Sequence, residues 1–172
     1  MMLQLKNSLA DKTFENFTVN KENRLAHAAS LAVAEKPGTD YNPFFMHSSY
    51  ESGAEAMHHL LAAIGNRVEK IHAGKIVLYA TGHDIESLIK EIHSEGTWLD
   101  MFAGIDMLLL ENLHEASDAS LGHLGELVEY MTSHSKQIVI SSNLHPKELS
   151  GIDFPVATQI SVGMVVGISE NL

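Results

Sequence analysis

Apolar residues recur along the chain in two patterns: short continuous runs, and longer stretches with apolar residues on one helical face. Continuous runs of about four to six residues between turn signals are typical of strands buried on both faces of a sheet. They predict strands at the beginning of the segment 41–66 and at residues 75–80, 107–110 and 137–141. A last apolar run, residues 160–168, is interrupted by two glycines.

The one-sided stretches predict four helices between these strands. The first follows Asn20, which suits an N-cap, and stops before Pro37-Gly38. The others are expected at about 53–69, at about 84–96, and from a cap at Ser117 or Asp118. The expected inward faces are, in chain order, Leu25, Ala28, Ala29, Ala32 and Val33; Ala56, Leu60, Ala63 and Ile64; Ile85, Leu88, Ile89 and Ile92; and Leu121, Leu124, Leu127, Val128 and Met131.

Short strands that alternate with helices are typical of a parallel sheet covered on both faces. The predicted fold class is therefore α/β, a three-layer parallel sheet flanked by helices. With 172 residues, 45% hydrophobic, and no internal repeat or long linker, the chain has the size of one domain with its own core. Residues 1–12 show no clear pattern, and we expect them to form an N-terminal extension to a domain of residues 13–172.

The composition is acidic and lacks cysteine. The 22 Asp and Glu residues against 11 Lys and Arg give a formal charge of −11, which opposes binding to nucleic acid. Without cysteine the chain has neither disulfides nor thiolate metal ligands. Its first residues lack the apolar segment of a signal peptide, and no apolar run is long enough to span a bilayer. We therefore expect a cytoplasmic protein without direct contact to nucleic acid or membrane.

The segment 41–66 has the order strand, loop, helix, which is the frame of a phosphate-binding loop. In such loops backbone N–H groups surround the phosphates, a lysine contacts their outer oxygens, and a Ser or Thr holds Mg²⁺. No lysine occurs between Lys36 and Lys70, and only Ser52, Gly53 and Ala54 offer a small, flexible backbone. The segment therefore has the frame of a phosphate loop without its chemistry.

Four segments together resemble the ATPase domain of the bacterial replication initiator DnaA. TFENFTVNKENRLAHAASLAVAEKPGTDYNPFF, residues 13–45, resembles the start of that domain, and HLLAAIGN, residues 59–66, resembles the helix behind its phosphate loop. IDMLLLENL, residues 105–113, resembles its Walker B strand, and QIVISSNLHPKEL, residues 137–149, its sensor strand. The resemblance implies the core of a P-loop NTPase of the AAA+ class over residues 13–172, without the helical lid and the DNA-binding domain.

The positions that would hold nucleotide in this family have changed. Aligning the helix places Met57 at the phosphate-loop lysine and His58 at the Mg²⁺-binding threonine, whereas counting forward from Tyr41 places Ala54 and Glu55 there. Neither register supplies the two groups. The start of this helix then either binds nothing or forms a weak anion site.

The resemblance also places Glu111 and Asn112 at the Walker B acidic pair and Asn143 at a sensor position where an Asp is usual. Glu111 could ligate a metal or simply end the strand, but Asn112 has no ionisable group to serve as a general base. No arginine follows Arg67, so no arginine finger is available. The eleven histidines include no pair at i, i+4, and we expect no metal site from them.

Three losses from one mechanism favour a pseudo-ATPase, a DnaA-like protein without catalysis or cofactor that regulates or assists replication initiation through protein contacts. The expected partners are replication proteins, including the initiator itself, and the expected docking surface is the opening segment 13–34 with Lys21 and Arg24. The alternative is a weak ATP- or ADP-binding AAA+ protein with an atypical phosphate loop. A homodimer also stays open, because surface that a lid would cover is left free.

Overall fold

A computed structural model describes residues 9–91 and 98–170 and contains one sheet of five parallel strands. The strands are β1 Phe44–His47, β2 Val77–Thr81, β3 Met107–Glu111, β4 Gln137–Ser142 and β5 Met164–Gly167. Their order across the sheet is β2-β3-β4-β1-β5, so β1 lies between β4 and β5. The predicted strands are confirmed, and the last apolar run contributes β5 in its second half.

In the described residues, six α-helices and three 3₁₀ turns accompany the strands. The helices are α1 Arg24–Glu35, α2 Glu51–Ile71, α3 Gly82–Glu91, α4 Asp118–Leu121, α5 Leu124–Ser133 and α6 Phe154–Ile160. The turns are Trp98–Phe102, Leu113–Glu115 and Pro146–Glu148. The predicted fourth helix is therefore two helices, α4 and α5, and α4 has the expected cap at Ser117, whose side chain accepts a hydrogen bond from the Ser120 N–H.

The helices cover both faces of the sheet, which gives the predicted three-layer α/β architecture. α1 and α2 pack on one face, and α3, α5 and α6 pack on the other. Side chains alternate across β1, so that Phe44 and Met46 face α1 and α2 while Phe45 faces the opposite layer. All residues of β3 and β4 are buried, as expected for central strands with helices on both sides.

The inward face predicted for α1 is wrong in part. Leu25 is 57% exposed, and Ala28 and Ala32 are also exposed. The buried residues of this helix are Ala26, Ala29, Ser30, Val33 and Ala34. Five of the 12 helix residues are alanines, so apolar spacing gives little information about which side is buried. In α3, Ile85, Leu88 and Ile89 are buried as predicted. Ile92 and the predicted end of this helix at Gly96 lie outside the described residues.

Residues 9–12 already belong to the packed structure. Leu9 is buried in the core layer of α1 and α2, and the Asn66 side-chain amide donates to the carbonyls of Leu9 and Lys12 at 2.9 and 2.7 Å. The packed core therefore includes Leu9, ahead of the predicted boundary, and the division of the chain at residue 13 stays a prediction. In the part of the chain that the structure describes, no helix has both the length and the apolar character to cross a membrane.

Candidate functional site

The carboxyl ends of β1, β3 and β4 lie side by side at one edge of the sheet, because these strands are parallel neighbours or next neighbours. In open parallel sheets ligands bind in the crevice at this edge. The segments at these strand ends carry the residues predicted from sequence: the start of α2 after β1, Glu111-Asn112 at the end of β3, and Asn143 after β4. The structure therefore brings the predicted positions to the same edge.

The connection after β1 is short, and α2 begins directly after it. β1 ends at His47 and α2 begins at Glu51, so three residues connect them. α2 starts two residues earlier than predicted, and Ser52, Gly53 and Ala54 belong to its first turns.

Tight packing fixes this helix start against the sheet. Gly53 is buried, and a Cβ atom there would overlap Ser48 Oγ and lie 3.4 Å from the Ile168 carbonyl oxygen. The Ser48 hydroxyl donates to that same carbonyl at 2.6 Å, and the Tyr50 N–H donates to Ser48 Oγ at 3.3 Å. The first turn of α2 is therefore fastened to the ends of β1 and β5, with no space for a side chain between them.

In neither alignment does the residue at the position of the phosphate-loop lysine present a positive charge to the crevice. Met57 is 3% exposed and packs in the core between α2 and the sheet. Ala54 and Glu55 lie on the exposed side of α2. A lysine at position 57 would therefore point into the core, and the acidic side chain at 55 repels phosphate.

The His58 side chain contacts the Glu111 carboxylate. Its Nδ1 lies 2.5 Å from Glu111 Oε1, and the Glu111 side chain is nearly buried. An imidazole Nδ1–H donates this hydrogen bond in the matching neutral tautomer and in the protonated ring alike. The pair joins the two positions that the resemblance assigns to Mg²⁺ binding. A metal ion at Glu111 Oε1 would compete with this ring for the same oxygen.

Asn112 forms the turn at the end of β3. It adopts the left-handed conformation, with φ 54° and ψ 53°, which Asn tolerates better than most residues. Its N–H donates to Ser141 Oγ at 3.2 Å, which joins the ends of β3 and β4. The amide at this position therefore has a structural role in the turn, and an Asn cannot act as a general base.

Two further histidines hold the loops at this edge. The Asn143 N–H donates to His114 Nδ1 at 3.0 Å, and burial lowers the pKa of His114 while Glu115 acts in the opposite direction. Burial and then the charge of His145 lower the pKa of His47, whose ring lies edge-to-face with that of His145 at 5.1 Å. Both His47 and His114 are thus favoured as neutral rings inside the site.

Metal ligands do not cluster in the part of the chain that the structure describes. No group of three or more His, Asp or Glu side chains there is arranged to hold a metal ion. The histidines instead make hydrogen bonds and ring contacts, as in the His145 side chain that accepts from the Lys147 N–H and caps a 3₁₀ turn. That the chain holds no metal stays a prediction.

Comparison with known proteins identifies the family. The model of the bacterial DnaA ATPase domain matches residues 9–167. The chain belongs to the DnaA ATPase-domain family. The initiator DnaA of Bordetella pertussis strain Tohama I is 34% identical over 163 residues, which are 92% of this chain and 34% of that protein. The chain thus spans about a third of the length of the curated relatives it matches.

Solved DnaA structures share the fold. Domain III of the Thermotoga maritima initiator DnaA is 28% identical, with a TM-score of 0.80 over 92% of this chain and 67% of that one. A replication initiator DnaA bound to AMPPCP and single-stranded DNA is 29% identical, with a TM-score of 0.80 over 93% of this chain and 50% of that one. The predicted resemblance to the DnaA AAA+ core is therefore confirmed.

The opening segment of this DnaA-family chain has a packed side and an exposed side. Phe14 is buried, and the partly buried Phe17 stacks on His27 with ring centroids 5.5 Å apart and planes 9° apart. Lys21 and Arg24, the predicted partner-binding residues, are exposed. They are accompanied by the exposed apolar side chains of Val19 and Leu25. The exposed side therefore combines two positive charges with apolar surface.

The His58–Glu111 pair is the feature of this DnaA-family site that the sequence does not announce. The two residues are 53 positions apart, and nothing in either local pattern links them. A signal was present only in the resemblance, which places one residue at each of two Mg²⁺-binding positions.

Proposed function

We propose that this chain is a non-catalytic member of the DnaA family that acts in replication initiation through protein contacts, without ATP hydrolysis and without a nucleotide cofactor. The observation that carries the proposal is the state of the nucleotide-binding edge. There the start of α2 packs on Ser48 and Ile168, and His58 is hydrogen-bonded to Glu111. The relatives that match the chain are replication initiators, which supports a role in replication initiation.

The electrostatics of this edge disfavour a nucleoside triphosphate. Glu51 and Glu55 lie in the first turns of α2, where the family's phosphate loop would present a lysine and backbone N–H groups. Each lost charge-assisted hydrogen bond costs about 1.5–3 kcal/mol of binding free energy. Loss of the lysine and of the metal pair therefore removes several such contacts, which leaves weak ATP or ADP binding as the alternative.

The arginines do not compensate for this loss. Arg67 contacts Glu15 at 3.4 Å and Glu35 at 4.0 Å, and its guanidinium lies 5.7 Å from the centre of the Phe14 ring. It thereby holds the opening segment on α2. Arg24, the only other arginine in the sequence, lies at the start of α1 on the exposed side of the opening segment.

The proposed docking surface is the exposed side of the opening segment and α1, with Lys21, Arg24, Val19 and Leu25. Two cations beside apolar side chains form a contact patch on a protein whose net charge is −11. The proposed partners are replication proteins of the cytoplasm, including the initiator DnaA. The same net charge disfavours direct binding to nucleic acid.

Co-purification tests the contact. The tagged full chain is captured from its native cells as wild type, as Lys21→Glu/Arg24→Glu, and as a control double charge reversal at the exposed Lys70 and Lys147. We expect replication proteins with the wild type and the control, and a loss of at least about tenfold with Lys21→Glu/Arg24→Glu. Equal capture by both double variants, with folding retained by circular dichroism, would place the docking surface elsewhere.

A further inference from the structure

β5 is an edge strand, and within the described residues it has a strand partner on one side only. It runs parallel to β1, and the Met164 N–H donates to the Pro43 carbonyl at 3.0 Å. Backbone groups of successive strand residues point alternately to the two sides of a strand. The N–H and C=O groups of Val165 and Gly167 therefore point away from the sheet and are open to another strand.

The stretch of chain that forms this edge carries no charge. No Asp, Glu, Lys or Arg occurs from residue 154 to residue 169, which is the longest uncharged stretch in the sequence. It comprises α6, the turn after it and β5. A chain with a formal charge of −11 repels a second copy of itself. The uncharged stretch adds no like-charge repulsion to a contact between two copies.

The same stretch carries the two large apolar side chains that are most exposed in the part of the chain that the structure describes. Phe154, at the start of α6, is 77% exposed, and Val162, two positions before β5, is 74% exposed. Edge strands are usually protected from pairing by charged side chains or proline, and β5 contains neither. Exposed apolar side chains beside an unprotected edge favour association between chains.

β2, at the other edge of the sheet, is protected in the usual way. Beside its start, the Lys75 ammonium lies 3.1 Å from the Asp106 carboxylate. At its end, the Thr81 N–H donates to the Asp84 carboxylate at 2.8 Å. A second strand that approached β2 would meet these charged groups. β5 is therefore the edge at which we expect pairing.

We propose that two copies of this chain associate through β5, antiparallel across a twofold axis, so that their five-stranded sheets form one continuous sheet. Val165 of one copy exchanges both backbone hydrogen bonds with Gly167 of the other, and Val166 lies opposite its own symmetry mate. The outward groups of β5 are thus complementary to themselves. The dimer forms from the purified chain alone, so it does not depend on the contact with replication proteins proposed above.

Sedimentation equilibrium of the purified full chain measures this association. We expect a monomer–dimer equilibrium whose dissociation constant decreases as NaCl rises from about 0.05 M to about 0.5 M, because salt screens the repulsion between the two acidic chains. A contact between the basic patch of one copy and acidic surface of the other would weaken over the same range. A chain that stays monomeric at about 100 μM in 0.5 M NaCl, or a dimer that salt weakens, would overturn the inference.

Substitution at Val165 tests the backbone pairing. Val165→Pro removes an N–H that points away from the sheet, and proline is tolerated in an edge strand at such a position. We expect the dimer dissociation constant to rise at least about tenfold, because the N–H is lost and the proline ring blocks the second strand. Val165→Thr, which keeps the N–H and the β-branched shape, should dimerise as the wild type does.

Substitution at Val162 tests the same surface without changing the backbone. Val162→Glu adds a like charge at the proposed contact and should also weaken the dimer at least about tenfold. Ile76→Glu, which adds the same charge at an exposed position beside β2, is the matched control and should not. This comparison decides the question if circular dichroism shows that Val165→Pro does not fold. A dimer that is as stable in Val162→Glu as in Ile76→Glu would overturn the inference.

Discussion

At the residue scale, single side chains decide whether this edge of the sheet can hold a charged ligand. Glu111 is buried, and a buried carboxylate needs a partner that offsets the cost of leaving water. His58 supplies that partner from α2, so the carboxylate is satisfied by the protein alone. Met57, one residue earlier on the helix, faces the core. The direction of these two neighbouring side chains supports the proposal that this edge binds neither nucleotide nor Mg²⁺.

Substitution by lysine tests the two registers. Met57→Lys buries an ammonium group in the core and removes an apolar side chain, so we expect it to lower the free energy of unfolding by about 3 kcal/mol or more. Ala54→Lys changes an exposed helix position and should alter it by no more than about 0.5 kcal/mol. Urea denaturation measures both. Similar stability of the two variants would show that Met57 does not face the core, and we expect neither to hydrolyse ATP.

Protonation of His114 should destabilise the folded chain. Burial lowers the pKa of His114 below its usual value of about 6.5, against the opposing charge of Glu115. Since the folded pKa lies below the unfolded one, the unfolded chain binds more protons as pH falls below about 6.5, and stability falls with it. Above that pH both states are neutral at this ring, and the effect vanishes.

We therefore expect Tm to decrease between about pH 7.5 and about pH 5.5, and to decrease less in His114→Asn, whose amide oxygen still accepts from the Asn143 N–H. His83→Asn, at an exposed position, controls for the loss of an imidazole. Thermal unfolding followed by circular dichroism gives the slopes. Identical slopes for the wild type and His114→Asn would mean that this ring does not contribute.

At the element scale, the proposal rests on the start of α2, which occupies the place of the family's phosphate-binding loop. A glycine in a phosphate loop serves close approach of the backbone to the ligand. Gly53 instead serves close approach of α2 to Ser48 and to the carbonyl of Ile168. Glycine thus has a packing role at this position. The sign of the change in the free energy of unfolding on substitution separates this role from ligand binding.

Gly53→Ala should destabilise the protein by about 1–3 kcal/mol, because the added methyl group overlaps Ser48 Oγ and overpacks the contact. In an open helix start the same change would instead stabilise by up to about 1 kcal/mol through helix propensity. Gly104→Ala, at a glycine with open space around it, is the control. A gain in stability for Gly53→Ala would refute the packed arrangement.

Elements with large apolar side chains were predictable from sequence, and elements defined by small or distant contacts were not. Val128 and Met131 identify the buried face of α5, whereas the alanines of α1 do not identify its buried face. The prediction that Leu25 faces the core is wrong for this reason. α6 has only seven residues and was missed, although Asp153 accepts from the Val156 N–H as an N-cap. The resemblance places the site positions on segments that the structure brings to one edge of the sheet, but their contacts depend on the tertiary fold.

At the scale of the whole molecule, the chain combines a DnaA ATPase-domain fold with a strongly acidic composition. The family match covers most of the chain, and the net charge of −11 acts against every polyanion, nucleotides included. Lys21 lies 3.5 Å from Glu22, and Arg24 follows two positions later, so both signs of charge lie close together in the opening segment. Under the proposed function, such a mixed surface would favour specificity in a protein contact.

Calorimetric titration of the full chain with Mg-ATP tests the central claim, that the nucleotide-binding edge is closed, most directly. The account predicts no saturable heat up to about 1 mM ligand. The replication initiator DnaA that was solved with AMPPCP serves as the positive control under the same conditions. A dissociation constant of about 10 μM or tighter for this chain would contradict the claim, because such affinity requires phosphate contacts that the packed start of α2 and the His58–Glu111 pair do not offer.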